Sequence, residues 1–225
     1  MKTKIFVPTH SDTPTESWRM LLADPEKHWK DEYSAKMLAD AWETKKDFPP
    51  AFKSALSNLG LDLELVFGFP EYQVDLDTAK RPSQNDLFVV ARDSSKLFAI
   101  SVEGKVNENF DLEIETWNKE GSDGKEKRFN FLLDKLELAH PQAEFVKHRY
   151  QLFHRTASAI LMAQKLHAKA AMMVVHSFSK TNNHFADFEA FVHLYSPKRD
   201  VKAGEIYKVR NLKRDIDLYL GWVNG

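Results

Sequence analysis

Apolar residues in the first third of the chain recur at intervals of three and four positions, which is the spacing of one helical face. This pattern predicts short helices over residues 14–23 and 33–45. A third helical pattern covers residues 51–68, where Gly60 is placed to end one helix and begin a second. The tryptophans of this part suit a ligand-binding box or, in better agreement with the helical spacing, the apolar side of a helical cap; they are Trp18, Trp29 and Trp42.

Two nearly continuous apolar runs, residues 87–91 and 97–102, predict strands that are buried on both faces of a sheet. The polar segment Asp93-Ser94-Ser95-Lys96 between them is typical of a hairpin turn. Further strands are predicted over residues 72–76, 171–176, 206–209 and 217–223, and further helices over residues 128–138, 148–167 and 185–195.

The order of these elements is helix, three strands, helix and strand. It predicts an α/β protein with a mixed central sheet and helices on both faces. The chain has 225 residues, which suits one compact domain. Within it we expect residues 1–50 to form an N-terminal helical extension and residues 51–225 to form the α/β domain.

Composition excludes several classes of protein. The net charge of -1 excludes a strongly basic nucleic-acid binder, so any contact with nucleic acid requires a local basic patch. The absence of cysteine excludes disulfide scaffolds and thiolate metal sites. The N-terminus lacks the apolar stretch of a signal peptide, and no apolar run approaches the roughly 20 residues of a membrane span, which favours a cytoplasmic protein.

The predicted hairpin brings two acidic residues together. If its loop is centred between Ser94 and Ser95, residues pair symmetrically about that point, and Asp86 therefore faces Glu103. A loop of two or four residues gives this pairing, whereas a loop of three residues breaks it. Lys105 lies two positions beyond Glu103 and shares its face of the strand.

Two facing carboxylates about 5 Å apart repel each other by about 3 kcal/mol at an effective dielectric constant of about 20. Lys105 supplies one positive charge to offset this repulsion, and a divalent cation such as Mg²⁺ would supply the rest through oxygen ligands. The competing interpretation is a solvated sheet end at which Lys105 is an ordinary salt-bridge partner. The joint match of register, face and buried strands favours the metal site.

These strands resemble the PD-(D/E)xK nuclease superfamily, through Asn85-Asp86-Leu87-Phe88-Val89-Val90 and then Ile100-Ser101-Val102-Glu103-Gly104-Lys105. The resemblance covers residues 51–176 and implies a restriction-endonuclease-like core. It also implies that Asp86, Glu103 and the carbonyl of Gly104 hold Mg²⁺ or Mn²⁺. Lys105 would then orient the attacking water or stabilise developing charge.

The resemblance implies further site residues. Many members carry a helical glutamate before the first strand, and here Glu64 is the first candidate for this metal ligand and Glu71 the second. Recombination-type members carry a glutamine on the helix after the third strand, which matches Gln151 as a catalytic residue. The proline that precedes the aspartate in the superfamily motif is replaced here by Asn85.

The chain also resembles an uncharacterised bacterial family in three segments, Ser17-Trp18-Arg19, Arg81-Pro82-Ser83-Gln84-Asn85-Asp86 and His154-Arg155-Thr156-Ala157-Ser158. The last segment belongs to a predicted helix whose polar face, from Gln151 to Ser158, points either to the metal site and phosphates or to solvent. The basic clusters at residues 125–128 and 208–214 either follow a phosphate backbone or, as is more usual, are solvated surface. The predicted substrate-binding residues are Arg81, Ser83, Arg149, His154 and Arg155.

The leading hypothesis is therefore metal-dependent hydrolysis of nucleic acid, with DNA favoured as the partner and a homodimer compatible with the sequence. The alternative from another class is a nuclease-derived module that binds nucleic acid or protein without catalysis, which the near-neutral charge favours. A third hypothesis is a metal-dependent hydrolase that acts on a small phosphoester.

Overall fold

The structure is a computed structural model and describes residues 4–7, 13–43, 47–76, 81–138 and 142–225. The described strands are β1 (Glu64–Val74), β2 (Ser83–Arg92), β3 (Leu97–Lys105), β4 (Ala170–Ser177), β5 (Ile206–Leu212) and β6 (Ile216–Asn224). The described α-helices are α1 (Pro14–Arg19), α2 (Pro25–His28), α3 (Ser34–Glu43), α4 (Pro50–Asn58), α5 (Ile114–Trp117), α6 (Asp123–Leu136), α7 (Tyr150–Lys165) and α8 (Phe185–His193). A short 3₁₀ helix, Gln142–Phe145, precedes α7.

The strands form one mixed sheet in the order β1-β2-β3-β4-β6-β5. The first three strands pair antiparallel, β4 lies parallel to both β3 and β6, and β5 pairs antiparallel with β6. Because parallel neighbours need a crossover connection, the chain between β3 and β4 carries α5, α6 and α7 across one face. The predicted α/β class, a mixed sheet flanked by helices, is confirmed.

Alternating side chains of the strands divide the core into two layers. On β3, Ala99 packs in the layer beneath α6, α7 and α8, whereas Phe98 and Ile100 pack in the layer beneath α1, α3 and α4. Helix α7 is buried along most of its length against β3 and β4. Its first turns therefore carry polar side chains directly over the sheet.

The N-terminal helices cover the second layer. Trp18 and Trp42 are buried there, and the Trp42 indole donates its Nε1–H to Nδ1 of His176 at 3.1 Å. These contacts agree with the helical cap that the tryptophan spacing favours. The N-terminal part is not helical throughout, because Ile5 forms a parallel bridge to Gly68 of β1.

The prediction of helix over residues 51–68 is wrong in its second half. Helix α4 ends at Asn58, the chain turns at Gly60 with a φ of +77°, and β1 begins at Glu64. The apolar residues of this segment also fit a period of two, and pairing with β2 satisfies their backbone groups. A helix there would have left the edge of β2 unpaired.

Helix α6 begins earlier than predicted, inside the glycine-rich loop, because Ser122 caps it by accepting a hydrogen bond from the Lys125 N–H. The predicted late elements 185–195, 206–209 and 217–223 correspond to α8, β5 and β6. Residues 44 and 45, at the end of one predicted helix, lie outside the described residues. Among the described helices, none is both long enough and apolar enough to cross a membrane.

Candidate functional site

The β2–β3 hairpin adopts the predicted register. Its paired positions run from Arg92↔Leu97 to Leu87↔Val102, symmetric about the middle of the turn. Asp86 and Glu103 are the next positions beyond the last pair. At this open end of the hairpin the Asp86 side chain takes the place of a backbone acceptor, because its Oδ2 accepts the backbone N–H of Gly104 at 2.8 Å.

The regular ladder breaks at Asp86 on its other side as well. The β1–β2 ladder pairs the residues on either side of Glu71 and Asp86 but not these two with each other. Glu71 has a φ of +52°, a left-handed conformation that strands do not contain. The break frees the Asp86 side chain from strict alternation, so that its carboxylate lies at the edge between the two layers.

Glu103 is the centre of a buried hydrogen-bond network. Its Oε1 accepts from Lys105 Nζ at 2.9 Å and from Gln151 Nε2 at 2.7 Å, and its Oε2 accepts from Arg155 Nε at 2.5 Å. The Glu103 side chain is only 3% exposed and that of Lys105 only 5%. Charge-assisted hydrogen bonds in a site with so little water are strong, so they hold Glu103 in one orientation.

Arg155 joins the two acidic residues. Besides its bond to Glu103, its Nη2 lies 3.7 Å from Oδ1 of Asp86, and its Nη1 donates to Oγ of Ser83 at 3.2 Å. Both carboxylates therefore face the same guanidinium, although Asp86, at the edge between the layers, also lies against Trp18 and Leu38 of the N-terminal helices. The polar face predicted on α7 points at this cluster and not at solvent.

The cluster contains more negative than positive groups. Burial, and then the charge of Glu103, raise the pKa of Asp86 well above its usual value, and burial raises the pKa of Glu71 to about 7. For Glu103, burial also opposes ionisation, but the charges of Arg155 and Lys105 outweigh it and lower the pKa. Two cations are thus shared by three carboxyl groups, and the raised pKa values of Asp86 and Glu71 favour a proton that offsets the surplus.

Ser83 and His154 extend the network towards the surface. Ser83 Oγ lies 2.8 Å from Nδ1 of His154. Burial, and then the charge of Arg155, lower the His154 pKa well below its usual value, so the ring is neutral. The approach of Arg155 Nη1 to Nδ1 at 3.4 Å favours the tautomer in which Nδ1 accepts the Ser83 hydroxyl proton and the proton of the ring lies on Nε2.

The structure brings together Asp86, Glu103, Lys105 and Gln151 and places Gly104 beside them. Of the predicted substrate-binding residues, Ser83, His154 and Arg155 belong to the same network.

Three other predicted residues lie away from the cluster. Glu64 is at the far end of β1, where it is 54% exposed and pairs with Arg92, so its placement on a helix near the metal ligands is wrong. Its carboxylate is held there because β1 is a strand and Glu64 pairs with Arg92 across it. Arg149 instead pairs with Asp187 at 3.1 Å, and Arg81 is exposed just before β2.

Two features of the site were not predicted from the sequence. The repulsion between the acids was expected to be offset by Lys105 and a divalent cation, whereas Arg155 also supplies positive charge. The spacing of Gln151 and Arg155, four positions apart on α7, was the available signal that both reach the same acceptor. Glu71 was also ranked only second, although it is the glutamate next to Asp86.

The cluster contains oxygen donors of the type that Mg²⁺ prefers, although both oxygens of Glu103 are engaged by neighbouring side chains. The described residues contain no group of three histidine, aspartate or glutamate side chains that could hold a metal, but Mg²⁺ commonly takes one or two carboxylates and completes its shell with water and phosphate. Asp86 Oδ1 accepts no hydrogen bond from the described residues. Oε1 of Gln151 is buried and has no donor there. Because the N–H and C=O of one strand residue point to the same neighbouring strand, and the Gly104 N–H bonds to Asp86, the Gly104 carbonyl is directed towards β2.

Comparison with known proteins gives a family but no activity. A family model described as a domain of unknown function, DUF6946, matches residues 11–225. No curated protein and no solved structure matches the chain.

Proposed function

The chain belongs to the DUF6946 family, and we propose that this protein is a divalent-metal-dependent nuclease whose site is the Asp86–Glu103–Lys105 cluster. The observation that supports the proposal is the surplus of carboxylate over cation around buried Glu103, together with oxygen atoms that accept no hydrogen bond from the described residues. A salt bridge with a purely structural role needs no surplus of negative charge, and a buried charge without a partner lowers the stability of the fold. A divalent cation would replace the compensating proton.

In this proposal Asp86, Glu103 and the carbonyl of Gly104 hold Mg²⁺ or Mn²⁺. When bound, the ion supplies positive charge that polarises a phosphate oxygen and acidifies water. Lys105 keeps its ammonium group at Glu103 and stabilises charge that develops on the phosphate. Gln151 fixes the orientation of Glu103 through its amide N–H and offers its free Oε1 to a water molecule.

The substrate class is nucleic acid, with DNA favoured. Arg155 and the half-buried His154 lie between the acidic cluster and the surface, where a phosphodiester would approach. Phosphate contacts of this kind position a nucleic acid without reading its sequence.

The test is cleavage of end-labelled single-stranded DNA, duplex DNA and RNA in Mg²⁺ or Mn²⁺. Asp86→Asn is the sharpest variant, because an amide oxygen still accepts the Gly104 N–H while the charge is lost. We expect cleavage to fall at least ~100-fold, since a metal ion contributes several kcal/mol to the transition state. Glu64→Gln, the same type of change at the far end of β1, is the matched control and should cleave like the wild type.

A wild-type protein that cleaves none of these substrates in either metal would refute the nuclease. So would an Asp86→Asn variant with undiminished activity.

One observation favours a second candidate, a nuclease-derived module that binds nucleic acid without cutting it. Both oxygens of Glu103 are already engaged, by Lys105, Gln151 and Arg155. If Arg155 never releases Glu103, the cluster acts as a rigid base for phosphate binding. Binding of DNA that is equally tight in Mg²⁺ and in EDTA, without cleavage, would favour this candidate.

A further inference from the structure

A cavity of about 460 Å³ opens beside the buried cluster, between the start of β2, the first turn of α6 and the first turns of α7. Arg81, Lys125 and Arg128 line it, and no carboxylate of the described residues does. In a chain with 32 basic and 33 acidic residues, this is a local separation of charge. The volume falls in the range of about 300–1,000 Å³ that small-molecule sites occupy.

These cations are not neutralised by neighbouring acids. Within the described part of the chain, neither Arg81 nor Arg128 forms a salt bridge, and the carboxylate nearest to Lys125 is that of Glu120, 4.0 Å away and 86% exposed. Arg128 donates from Nη2 to the backbone carbonyl of Arg81, but its Nε is buried and has no acceptor among the described residues. A buried N–H without an acceptor costs free energy, so an anion that accepts a hydrogen bond from Arg128 would stabilise the pocket.

Part of the cavity wall is apolar, and Lys125 Nζ lies 5.8 Å from the centroid of its Trp117 ring. Leu76, Pro82 and Trp117 form this part, and the Trp117 ring lies parallel to that of Tyr150 with centroids 4.0 Å apart. The stacked pair is a rigid surface with little side-chain entropy to lose on binding. A ligand that suits this lining carries an anionic group close to a flat ring.

The floor of the cavity connects it to the acidic cluster. Ser83 and His154 line the cavity, and Arg155 donates to Ser83 from within the cluster. In this tautomer the neutral His154 ring has its donor at Nε2, for which the described residues offer no acceptor. A chain of two hydrogen bonds therefore joins the cavity to Glu103.

We propose that this cavity binds one nucleotide of a single strand, with its phosphate at Arg81, Lys125 and Arg128 and its base against the Trp117 wall. The strand would continue to the neighbouring phosphodiester at Asp86 and Glu103, and this second half rests on the proposed function. A base paired inside a duplex cannot enter such a pocket without leaving the stack. The substrate class is thereby narrowed to single-stranded or frayed nucleic acid.

The test is fluorescence anisotropy of a short, 3′-labelled, 5′-phosphorylated single-stranded DNA in EDTA, where no metal-dependent cleavage occurs. Lys125→Ala should weaken binding about tenfold or more. It should also reduce the slope of log K against log salt concentration by about one, which corresponds to the loss of one phosphate contact. Lys127→Ala is the matched control, because Lys127 lies on the same helix, is exposed and does not line the cavity. Arg81→Ala, an exposed second variant, should repeat the Lys125→Ala result.

Equal binding by the Lys125→Ala and Lys127→Ala variants would overturn the proposal. Duplex DNA that binds as tightly as the single strand would overturn it too. In competition, a nucleoside monophosphate should displace the DNA at lower concentration than inorganic phosphate, and equal potency would refute the contact with the base. Because EDTA removes catalysis, a selective loss in Lys125→Ala without any cleavage in Mg²⁺ would leave this pocket supported and the nuclease refuted.

Discussion

Arg155→Met removes the guanidinium that both acidic residues of the cluster face, while the thioether keeps much of its volume. Glu103 then loses its closest donor, at 2.5 Å, and Asp86 loses the positive charge 3.7 Å away. Removing one partner of a buried ion pair costs about 3–5 kcal/mol, because an uncompensated charge stays behind. For a chain of this size each kcal/mol lowers Tm by about 2–4 °C, so we expect a loss of roughly 6–20 °C.

Divalent metal should reverse much of this loss. If the cluster binds cations, Mn²⁺ replaces the missing charge and no longer competes with Arg155 for Glu103. At a concentration about 100 times the Kd the ion contributes about 2.7 kcal/mol. Differential scanning fluorimetry with and without Mn²⁺ measures the effect, and the increase in Tm should be larger in Arg155→Met than in the wild type.

Arg149→Met is the matched control for this measurement. Arg149 precedes α7 and pairs with Asp187, and within the described residues its side chain forms no hydrogen bond or salt bridge with the cluster. We expect the free energy of unfolding to fall by at most about 1 kcal/mol, and we expect Mn²⁺ to raise the Tm of this variant no more than that of the wild type. An Arg155→Met variant as stable as Arg149→Met would contradict the reasoning, and so would equal Mn²⁺ shifts in the two variants.

Other predictions concern Glu71, whose titration depends on the fold, and buried His176, whose hydrogen bond does. Because the pKa of folded Glu71 is about 7 against an ordinary value of 4.5, the folded state keeps a proton that the unfolded state loses, and stability falls as pH rises through this window. Glu71→Gln should flatten this pH dependence and raise the free energy of unfolding at pH 8, measured in urea, by up to about 3 kcal/mol. If the stability of the variant and of the wild type changed with pH in the same way, this reasoning would be wrong. Trp42→Phe removes the only donor that the described residues offer to Nδ1 of His176, and should lower stability by about 1–3 kcal/mol. Trp29→Phe, a partly exposed control, should change it by at most about 0.5 kcal/mol, and equal losses would contradict the role of the buried bond.

The hairpin register was predictable because local chemistry determines its turn. Asp93 Oδ1 accepts the backbone N–H groups of Ser95 and Lys96 at 2.7 and 2.8 Å, which is how an aspartate closes a turn without help from the rest of the fold. Once the turn is set, every pair down to Leu87↔Val102 follows from the period of two. The proximity of the two acids followed from the same argument.

Features that depend on distant partners were not predictable in this way. The segment from Glu64 fits helical and strand periods alike, and only pairing with β2 decides between them. The contact between Arg155 and Glu103 joins residues 52 positions apart, so the helix pattern shows a polar face but not what it meets. The left-handed Glu71 conformation arises from the break in two ladders and has no local sequence signal.

The central claim is that the surplus carboxylate of the cluster exchanges a proton for a divalent cation. Isothermal titration of Mn²⁺ in buffers of different ionisation enthalpy measures both the binding and the protons released. The account predicts binding that releases protons, tightens as pH rises through about 7 and is lost in Asp86→Asn. Binding that is absent in the wild type, or that releases no proton and survives Asp86→Asn, would contradict it.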